Sequence, residues 1–315
     1  MRTAETVDDP LLAAARNGDG PAFERLVAPH TRALHVHCYR MLGSFHDAED
    51  ATQETLVRAW RGLAGYRTDA PLRHWLMRIA TTTCLKAIER RGRVPATTAD
   101  VTYLQPYPDD RADADPAAVA EQRESIALAF IAALQLLPPA QRATVILRDV
   151  LAWNAAEVAA LLDLSVPAVN SALQRARTKL AETGGVPAAP PSADEKLVLD
   201  AFMRAWQSCD IPALAALLHR DVILAMPPQA ILITGRDAVA GFFANVPADG
   251  RLDTIRLRPI RANGQAALAA YLPDDRQYCR GYGIMVLTIA AGGVTTIIGF
   301  PDPSLFPVFG LPERG

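Results

Sequence analysis

The spacing of apolar residues changes along this chain, and that change limits the folds open to it. Up to about residue 183, apolar side chains recur three and four positions apart, as they do on amphipathic helices. Later they form strand-like runs separated by turn signals, at 252–260, 265–272, 278–290 and 294–300. The predicted fold class is therefore multidomain, with two all-α helical domains followed by an α+β domain.

Two segments without apolar periodicity divide the chain. Residues 94–124 contain four prolines and five aspartates, the composition of an acidic, extended linker. Residues 184–193 are a Gly/Pro linker. The predicted domains are thus 1–93, 125–183 and 194–315, with the helical pair tethered flexibly.

The formal net charge of −2 conceals a separation of charge along the chain. Between residues 42 and 57 every charged side chain is acidic, whereas residues 58–93 carry nine arginines and lysines against two acids. An acidic surface next to a basic one indicates two different partners.

Composition also excludes several function classes. The four cysteines lie far apart with no CxxC pair, so we expect free buried thiols and neither a disulfide framework nor a zinc site. The first two domains show no nucleophile triad and no Gly-rich phosphate loop, and we expect no cofactor and no metal. Since no apolar run approaches the ~20 residues of a membrane span, we expect a soluble cytoplasmic protein without a membrane partner.

Residues 154–180 fit a helix-turn-helix. Ala159 is the small residue at the helix crossing, and Asp163 occupies the turn, where aspartate is one of few residues that tolerate a positive φ. Leu164, Val169 and Leu173 are expected to fill the inner face. The outward residues offer donors to base edges and cations to phosphates: Ser165, Pro167, Asn170, Ser171, Gln174, Arg175, Arg177 and Lys179.

Three stretches carry a resemblance to a known family. The segment LPPAQRATVILRDVL at 137–151, leading into the helix-turn-helix, resembles region 4 of sigma-70 proteins. DAEDATQETLVRAW at 47–60 resembles sigma region 2.2, and LRHWLMRIA at 72–80 resembles the helix that follows it. Together they resemble the small extracytoplasmic-function sigma factors. The tail is similar to the SnoaL-like, nuclear-transport-factor-2-like cone fold, which some of these sigma factors carry, and residues 102–110 resemble the linker of such fused members.

The resemblance implies a promoter-recognising subunit that binds core RNA polymerase, through the β′ clamp helices and the β subunit, and promoter DNA. The polymerase-binding residues it implies are Asp47, Glu49, Asp50, Gln53 and Glu54. A solvated acidic helix face is the alternative for this set.

The implied contacts to the minus-ten element lie in a loop and on the helix after it. The loop expected to hold an unstacked base contains Tyr66, Arg67, Thr68 and Asp69. The helix expected to follow the strand carries Arg73, Arg78, Thr82, Lys86 and Arg90, for which a plain surface role is the alternative. The helix-turn-helix is then expected to bind the minus-thirty-five element.

For the C-terminal domain we expect a built-in regulator with a small-molecule pocket and no catalytic residue. The candidate pocket residues are Trp206, His219, Asp221 and Tyr282. Two alternatives are a stand-alone helix-turn-helix regulator with a ligand-sensing tail and a SnoaL-like cyclase or isomerase. The sequence identifies no anti-sigma factor.

Overall fold

The computed structural model describes residues 10–68, 70–94, 103–109, 126–182, 193–273, 279–290 and 292–314. The chain divides into two compact units. One contains Met1–Val94 and Ala133–Gly185, and the other contains Pro95–Ala132 and Val186–Gly315. The two helical domains that the sequence predicts as flexibly tethered therefore share one unit, and their packing corrects that expectation.

The regular secondary structure described in the first unit is all helical. Its first part contains α1 (Pro10–Arg16), α2 (Gly20–Leu42), α3 (Phe45–Gly62) and α4 (Leu72–Arg91). The Asp19 carboxylate accepts from the Ala22 N–H at 3.0 Å and caps α2. Gly43, with φ 76°, ends α2 in the left-handed conformation, and the Ser44 side chain then caps α3. These caps explain why the α2–α3 connection is only two residues long.

The second part of this unit is also built of helices, one of which begins with a side-chain cap. The boundary between the two units falls within α5 (Leu128–Gln135). After it come α6 (Pro139–Val145), a π-helical turn (Ile146–Val150), α7 (Ala155–Leu162) and α8 (Val166–Glu182). Asn154 and Glu157 form a capping box at the start of α7, each side chain accepting from the other residue's N–H.

The C-terminal half of α2 is the centre of the first unit. Its residues from Leu34 to Leu42 are all buried, because α3, α4 and the α5–α6 segment surround them. Gln135 donates to the Arg40 carbonyl oxygen at 3.2 Å, and the buried Arg142 donates to that of Met41. His37 is also fully buried, and its Nε2 lies 2.9 Å from the Thr81 hydroxyl.

The second unit is an α+β domain, which confirms the predicted fold class. It contains α9 (Ala193–Gln207), α10 (Ile211–Leu217), β1 (Leu218–Ala225), β2 (Leu232–Thr234), α11 (Arg236–Asn245), β3 (Arg256–Ala262), β4 (Gln265–Pro273), β5 (Cys279–Ala290), β6 (Gly293–Phe300) and α12 (Leu305–Val308). The strand order is β2-β1-β6-β5-β4-β3, with β1 and β6 parallel and the other neighbours antiparallel. The aromatic core includes Phe202, Trp206 and Phe243, whose rings contact one another.

Part of the segment predicted to be a free linker packs against this sheet. Within residues 103–109, Leu104 and Tyr107 are each only 2% exposed, and Pro108 bridges to Ala262 at the end of β3. Three ranges lie outside the described residues: 95–102, 110–125 and 183–192. They contain the rest of the two predicted linkers, apart from Val94 and Ala193.

Among the described residues, no single helix has the length and apolar composition to cross a membrane. The pair α7 and α8 passes that test only when taken together across a 98° bend. In this part of the chain no cluster of three His, Cys, Asp or Glu side chains is arranged to hold a metal ion. The four cysteines are not disulfide-bonded; Cys38 and Cys84 are buried, whereas Cys209 and Cys279 are partly exposed.

Candidate functional site

The helix-turn-helix is formed by α7 and α8, whose axes turn by 98°. Asp163 ends α7 in the left-handed conformation with φ 53° and ψ 48°, as expected for the turn residue. Val169 and Leu173 are buried on the inner face, but Leu164 is 37% exposed and does not fill it. Since Leu164 follows directly on the left-handed residue, the turn directs it away from the crossing.

The outer face of α8 is accessible along its length. The Ser165 hydroxyl accepts from the Ala168 N–H at 3.3 Å and caps the helix. The structure leaves exposed all eight residues predicted to contact DNA, namely Ser165, Pro167, Asn170, Ser171, Gln174, Arg175, Arg177 and Lys179. Small and amide side chains come first and cations follow, so base-edge donors lie towards the start of the helix.

One cation on this face is already paired. Arg177 donates from Nε and Nη2 to the two carboxylate oxygens of Asp149, at 2.9 and 2.7 Å. The hydrogen bonds and charge of Asp149 raise the pKa of Arg177 above its ordinary value. Lys179 lies 3.8 Å from Glu182, while Arg175 makes no ion pair within the described residues. Arg175 is therefore the cation on this face best placed for a new contact.

The loop before α4 has one buried and two exposed residues of interest. Tyr66 is 7% exposed, donates to the Ala70 carbonyl oxygen at 2.7 Å and packs on Trp75 at 5.0 Å. Its burial corrects the expectation that it contacts a base directly, because its ring and hydroxyl are used to hold the loop. Arg67 and Thr68 are exposed, and Asp69 lies outside the described residues.

A basic stripe runs along α4. Arg78, Thr82, Lys86 and Arg90 follow one another at four-residue intervals, which places them on one face. The three cations are exposed and Thr82 is half-buried, with its hydroxyl donating to the Ile79 carbonyl oxygen at 2.9 Å. Arg73, five residues before Arg78, is also exposed. The stripe supplies charges spaced along some 18 Å of helix, estimated from ~1.5 Å per residue.

An acidic surface lies on α3. Glu49, Asp50, Gln53 and Glu54 are all exposed, and their spacing places them on one side of the helix. Glu54 pairs with Arg58 at 2.7 Å. Asp47 is half-buried and pairs with Arg91, so it belongs to the packing of α3 on α4 more than to the open surface.

The C-terminal domain contains a cavity of about 190 Å³ bounded by α9, α11 and the sheet. Trp206 and Tyr282 lie in its wall, whereas His219 and Asp221 do not. On β1 the side chains of Val222 and Leu224 are buried, so those of residues 219 and 221 face the opposite, exposed side. The predicted pocket set is corrected in those two positions.

Sequence reasoning missed a polar cluster on the β3–β4 turn. The fully buried Asn263 accepts from the Tyr107 N–H at 2.8 Å and donates to the Ile126 carbonyl oxygen at 2.5 Å. Gln265 accepts from the Leu128 N–H at 3.2 Å. Asp109 accepts from the Gly264 N–H at 2.7 Å. We call Asn263, Gln265 and Asp109 the linker clamp; its only sequence signal was Asn263-Gly264, which indicated a turn and nothing about its partners.

Arg261 ties this cluster to α9. Its guanidinium pairs with Asp109 at 3.3 Å and with Glu195 at 2.6 Å. Both carboxylates have little solvent exposure, 8% and 16% of their side-chain surface, so these pairs are screened less than surface ones.

Three family profiles match successive parts of the chain. Sigma-70 region 2 matches residues 26–94, sigma-70 region 4 matches residues 127–180, and the SnoaL-like domain matches residues 199–295. The resemblance identified from the sequence is confirmed in all three parts.

Relatives and a solved structure agree with these profiles. The chain is 40% identical to the ECF RNA polymerase sigma factor SigG of Mycobacterium tuberculosis, over 99% of this chain and 92% of that protein. It is 35% identical to SigM of the same species over 58% of this chain and 86% of the relative. The crystal structure of M. tuberculosis SigJ matches with a TM-score of 0.64 at 24% identity, covering 90% of this chain and 96% of that one, and shows the fold.

Proposed function

The chain belongs to the ECF family of RNA polymerase sigma factors, and from that premise we propose how its surfaces divide the work of initiation. The outer face of α8 reads the minus-thirty-five element in the major groove. Arg67, Thr68 and Asp69 in the loop before α4, together with the basic stripe of α4, bind the minus-ten element. The acidic surface of α3 binds core polymerase at the β′ clamp helices, with further contact to the β subunit.

The observation that carries the DNA assignment is the exposed face of α8. A helix of 17 residues, held by a left-handed turn at 98° to its neighbour, presents amide and hydroxyl groups followed by cations. A helix of this kind fits the major groove, where such groups distinguish base pairs. The basic stripe of α4 supports a second, mainly electrostatic contact, because phosphate neutralisation needs charges rather than a fixed hydrogen-bond pattern.

The acidic surface supports polymerase binding by charge complementarity. Glu49, Asp50 and Gln53 are exposed, and none of the three pairs with another side chain within the described residues. Their side-chain oxygens can therefore accept hydrogen bonds from a basic protein surface. Such surfaces raise association rates and fix orientation.

We further propose that the C-terminal domain regulates initiation by holding the linker between the two helical parts. Tyr107 and Ile126 bond to the same side chain, Asn263, although 18 residues separate them. A flexible segment of that length would have a root-mean-square end-to-end distance of roughly 25 Å. The linker clamp therefore holds Tyr107 and Ile126 at one side chain, and this limits how far the two helical parts can separate.

The same domain acts by binding rather than by turnover. The described residues around its cavity include no His, Asp, Glu, Lys or Arg, the side chains that most often transfer protons in enzymes. Tyr282 is the one ionisable side chain among them.

Run-off transcription with purified core polymerase, with and without the full chain, tests the sigma-factor assignment. We expect promoter-specific transcripts only when the chain is present, together with co-elution of the chain and the polymerase. The same amount of promoter-specific transcript without the chain, or no co-elution of chain and polymerase, would contradict the proposed roles in initiation.

Asn263→Asp tests the linker clamp in the same assay. Asn263 has a φ of 56°, a conformation that aspartate tolerates, and an Asp side chain still accepts from Tyr107. It cannot donate to Ile126 and places a negative oxygen against that carbonyl. We expect promoter output to change and the amides near 107 and 126–128 to exchange faster with solvent, with Asn245→Asp as the exposed control in the same domain. Faster exchange with unchanged output would contradict the regulatory role and leave the sigma-factor assignment standing.

A further inference from the structure

The loop before α4 is hydrogen-bonded at both of its ends. At the far end the Tyr66 hydroxyl donates to the Ala70 carbonyl oxygen at 2.7 Å. At the near end Nη2 of Arg16 donates to the Tyr66 carbonyl oxygen at 2.5 Å. Arg67 and Thr68, which lie between these two bonds, are exposed. Their side chains therefore project from a segment that is held on either side.

Arg16 reaches this loop from a distant part of the chain. It is the last residue of α1 and lies 50 positions before Tyr66. Its guanidinium carbon is 6.0 Å from the centre of the Tyr66 ring, within the range of a cation–π contact. α1 itself packs on α2 and contacts the 3₁₀ turn Leu63–Gly65, which leads into the loop. One guanidinium thus contacts both the main chain and the ring of Tyr66.

This contact orients the main chain more than it stabilises the fold. Arg16 is exposed, and a hydrogen bond that competes with water contributes little to the free energy of unfolding. Its local effect is larger, because a peptide unit is planar. Fixing the direction of the Tyr66 carbonyl also fixes the direction of the Arg67 N–H, and with it the path of the chain into the exposed part of the loop.

We propose that Arg16 is a positioning residue for recognition of the minus-ten element. By directing the peptide between Tyr66 and Arg67, it holds Arg67 and Thr68 in the geometry in which they meet an unstacked base. The proposal rests on the proposed function, in which this loop binds the minus-ten element. A loop already held in its bound geometry loses less conformational entropy on binding, so the bond from Arg16 raises the affinity without a contact to DNA.

Four variants of the full chain, each bound to core polymerase, test this role. Arg16→Met removes the donor to Tyr66, Arg67→Met removes the cation of the loop itself, and a third variant combines the two changes. Arg25→Met is the matched control, because Arg25 is also exposed and donates to a main-chain carbonyl oxygen, that of Pro21 at 3.3 Å, but within α2.

The probe is a single DNA strand that carries the minus-ten element of a promoter identified by run-off transcription with this chain. Its affinity for each complex is measured by fluorescence anisotropy. A minus-thirty-five duplex serves as the second probe, since it is expected to contact α8 and not the loop.

Arg16→Met should bind the minus-ten strand about 3-fold or more weakly than wild type, whereas Arg25→Met should bind it as wild type does. The combined variant should lose less than the product of the two single losses, because positioning Arg67 has no effect once its cation is gone. Affinity for the minus-thirty-five duplex and the urea midpoint of Arg16→Met should both stay at the wild-type value.

Losses that multiply in the combined variant would show that Arg16 acts independently of the loop, as a direct phosphate contact would, and would overturn the proposal. An equal loss in Arg25→Met would do the same by tracing the effect to net charge. If Arg67→Met weakens binding and Arg16→Met does not, the role of the loop stands and this inference alone fails. If neither variant weakens binding, the proposed role of the loop fails, and this inference with it.

Discussion

The guanidinium of Arg142 donates to the main-chain carbonyl oxygen of Met41, with 2.6 Å between Nη1 and O. This bond joins α6, in the sigma region 4 part, to the end of α2, in the region 2 part. Arg142 is 1% exposed, and its Nη2 also donates to the carbonyl oxygens of Gln135 and Leu137 at 2.8 and 3.2 Å. The buried guanidinium thus donates hydrogen bonds to main-chain carbonyl oxygens just before α6 and links that segment to the end of α2.

Replacing Arg142 should destabilise the first unit. Arg142→Met removes the hydrogen bonds to three main-chain carbonyl oxygens and buries no replacement donor, so we expect the free energy of unfolding to fall by about 2–4 kcal/mol. Urea denaturation of the full chain, followed by far-UV circular dichroism, measures the loss. The exposed Arg175→Met is the matched control and should change stability by less than about 0.5 kcal/mol. Equal midpoints for the two variants would contradict the bridging role of Arg142.

His37 should make the stability of the first unit depend on pH. Burial, and then the charge of Arg40, lowers the pKa of His37 to about 3 from the ordinary 6.5. Between these values the unfolded chain binds a proton that the folded chain does not, so stability is complete above pH 6.5 and falls as the pH drops towards 3.

The size of this effect gives a direct test. The loss attributable to His37 should approach about 1.4 kcal/mol per pH unit well below 6.5. Denaturation of wild type and His37→Gln at pH 5 to 7 isolates this contribution, because glutamine retains a polar partner for Thr81 and cannot titrate. We expect a flatter profile for the variant, and parallel profiles would show that His37 is not buried in its neutral form.

Local patterns in the sequence predicted most of the fold. The change in apolar spacing located the helical part and the later strands, and the helix-turn-helix spacing located the left-handed turn at Asp163, because these features depend on neighbouring residues. The short strand β2 (Leu232–Thr234) was missed, since three residues carry too little periodicity to register.

The predictions failed where a role depends on residues far apart in the chain. Nothing local distinguishes Asn263 in a turn from Asn263 bonded to Tyr107 and Ile126, more than 130 positions away. His219 and Asp221 were expected in the pocket because their chemistry suited it, but the alternation of β1 turns them outwards. The packing of the two helical parts around Arg142 was hidden for the same reason.

Asp149 should weaken DNA binding by the helix-turn-helix. Its carboxylate occupies two of the five N–H donors of Arg177, on the Nε and Nη2 side that would otherwise reach a phosphate. Asp149→Asn should therefore raise affinity for a minus-thirty-five duplex and steepen its dependence on salt by up to about one unit of slope, as one more phosphate contact forms. Fluorescence anisotropy at several salt concentrations measures both quantities. Glu182→Gln, which removes the carboxylate that lies 3.8 Å from Lys179, is the comparison. A lower affinity for Asp149→Asn would show that the pair orders Arg177 for binding.

Arg175 should contribute to recognition directly. It is exposed on the outer face of α8 and makes no ion pair within the described residues. If it contacts a base, Arg175→Ala should weaken binding to the minus-thirty-five element by about 1–3 kcal/mol and relax the preference at one base pair. A loss of only a few tenths of a kcal/mol, the same for every sequence tested, would place Arg175 on the solvent surface.

The acidic surface of α3 should control affinity for the polymerase. In Glu49→Lys with Asp50→Lys, two exposed acids become cations and the complementarity to a basic partner is reversed, so we expect core polymerase to bind about 10-fold or more weakly at low salt. Glu24→Lys in α2, also exposed, makes the same kind of charge change away from this surface and should leave affinity nearly unchanged. Because screening grows with ionic strength, the difference between the variants should shrink as salt is added. The double variant changes the net charge by +4 and Glu24→Lys by +2, so a free-energy loss half as large in Glu24→Lys would point to net charge, and not to this surface, as the determinant of binding.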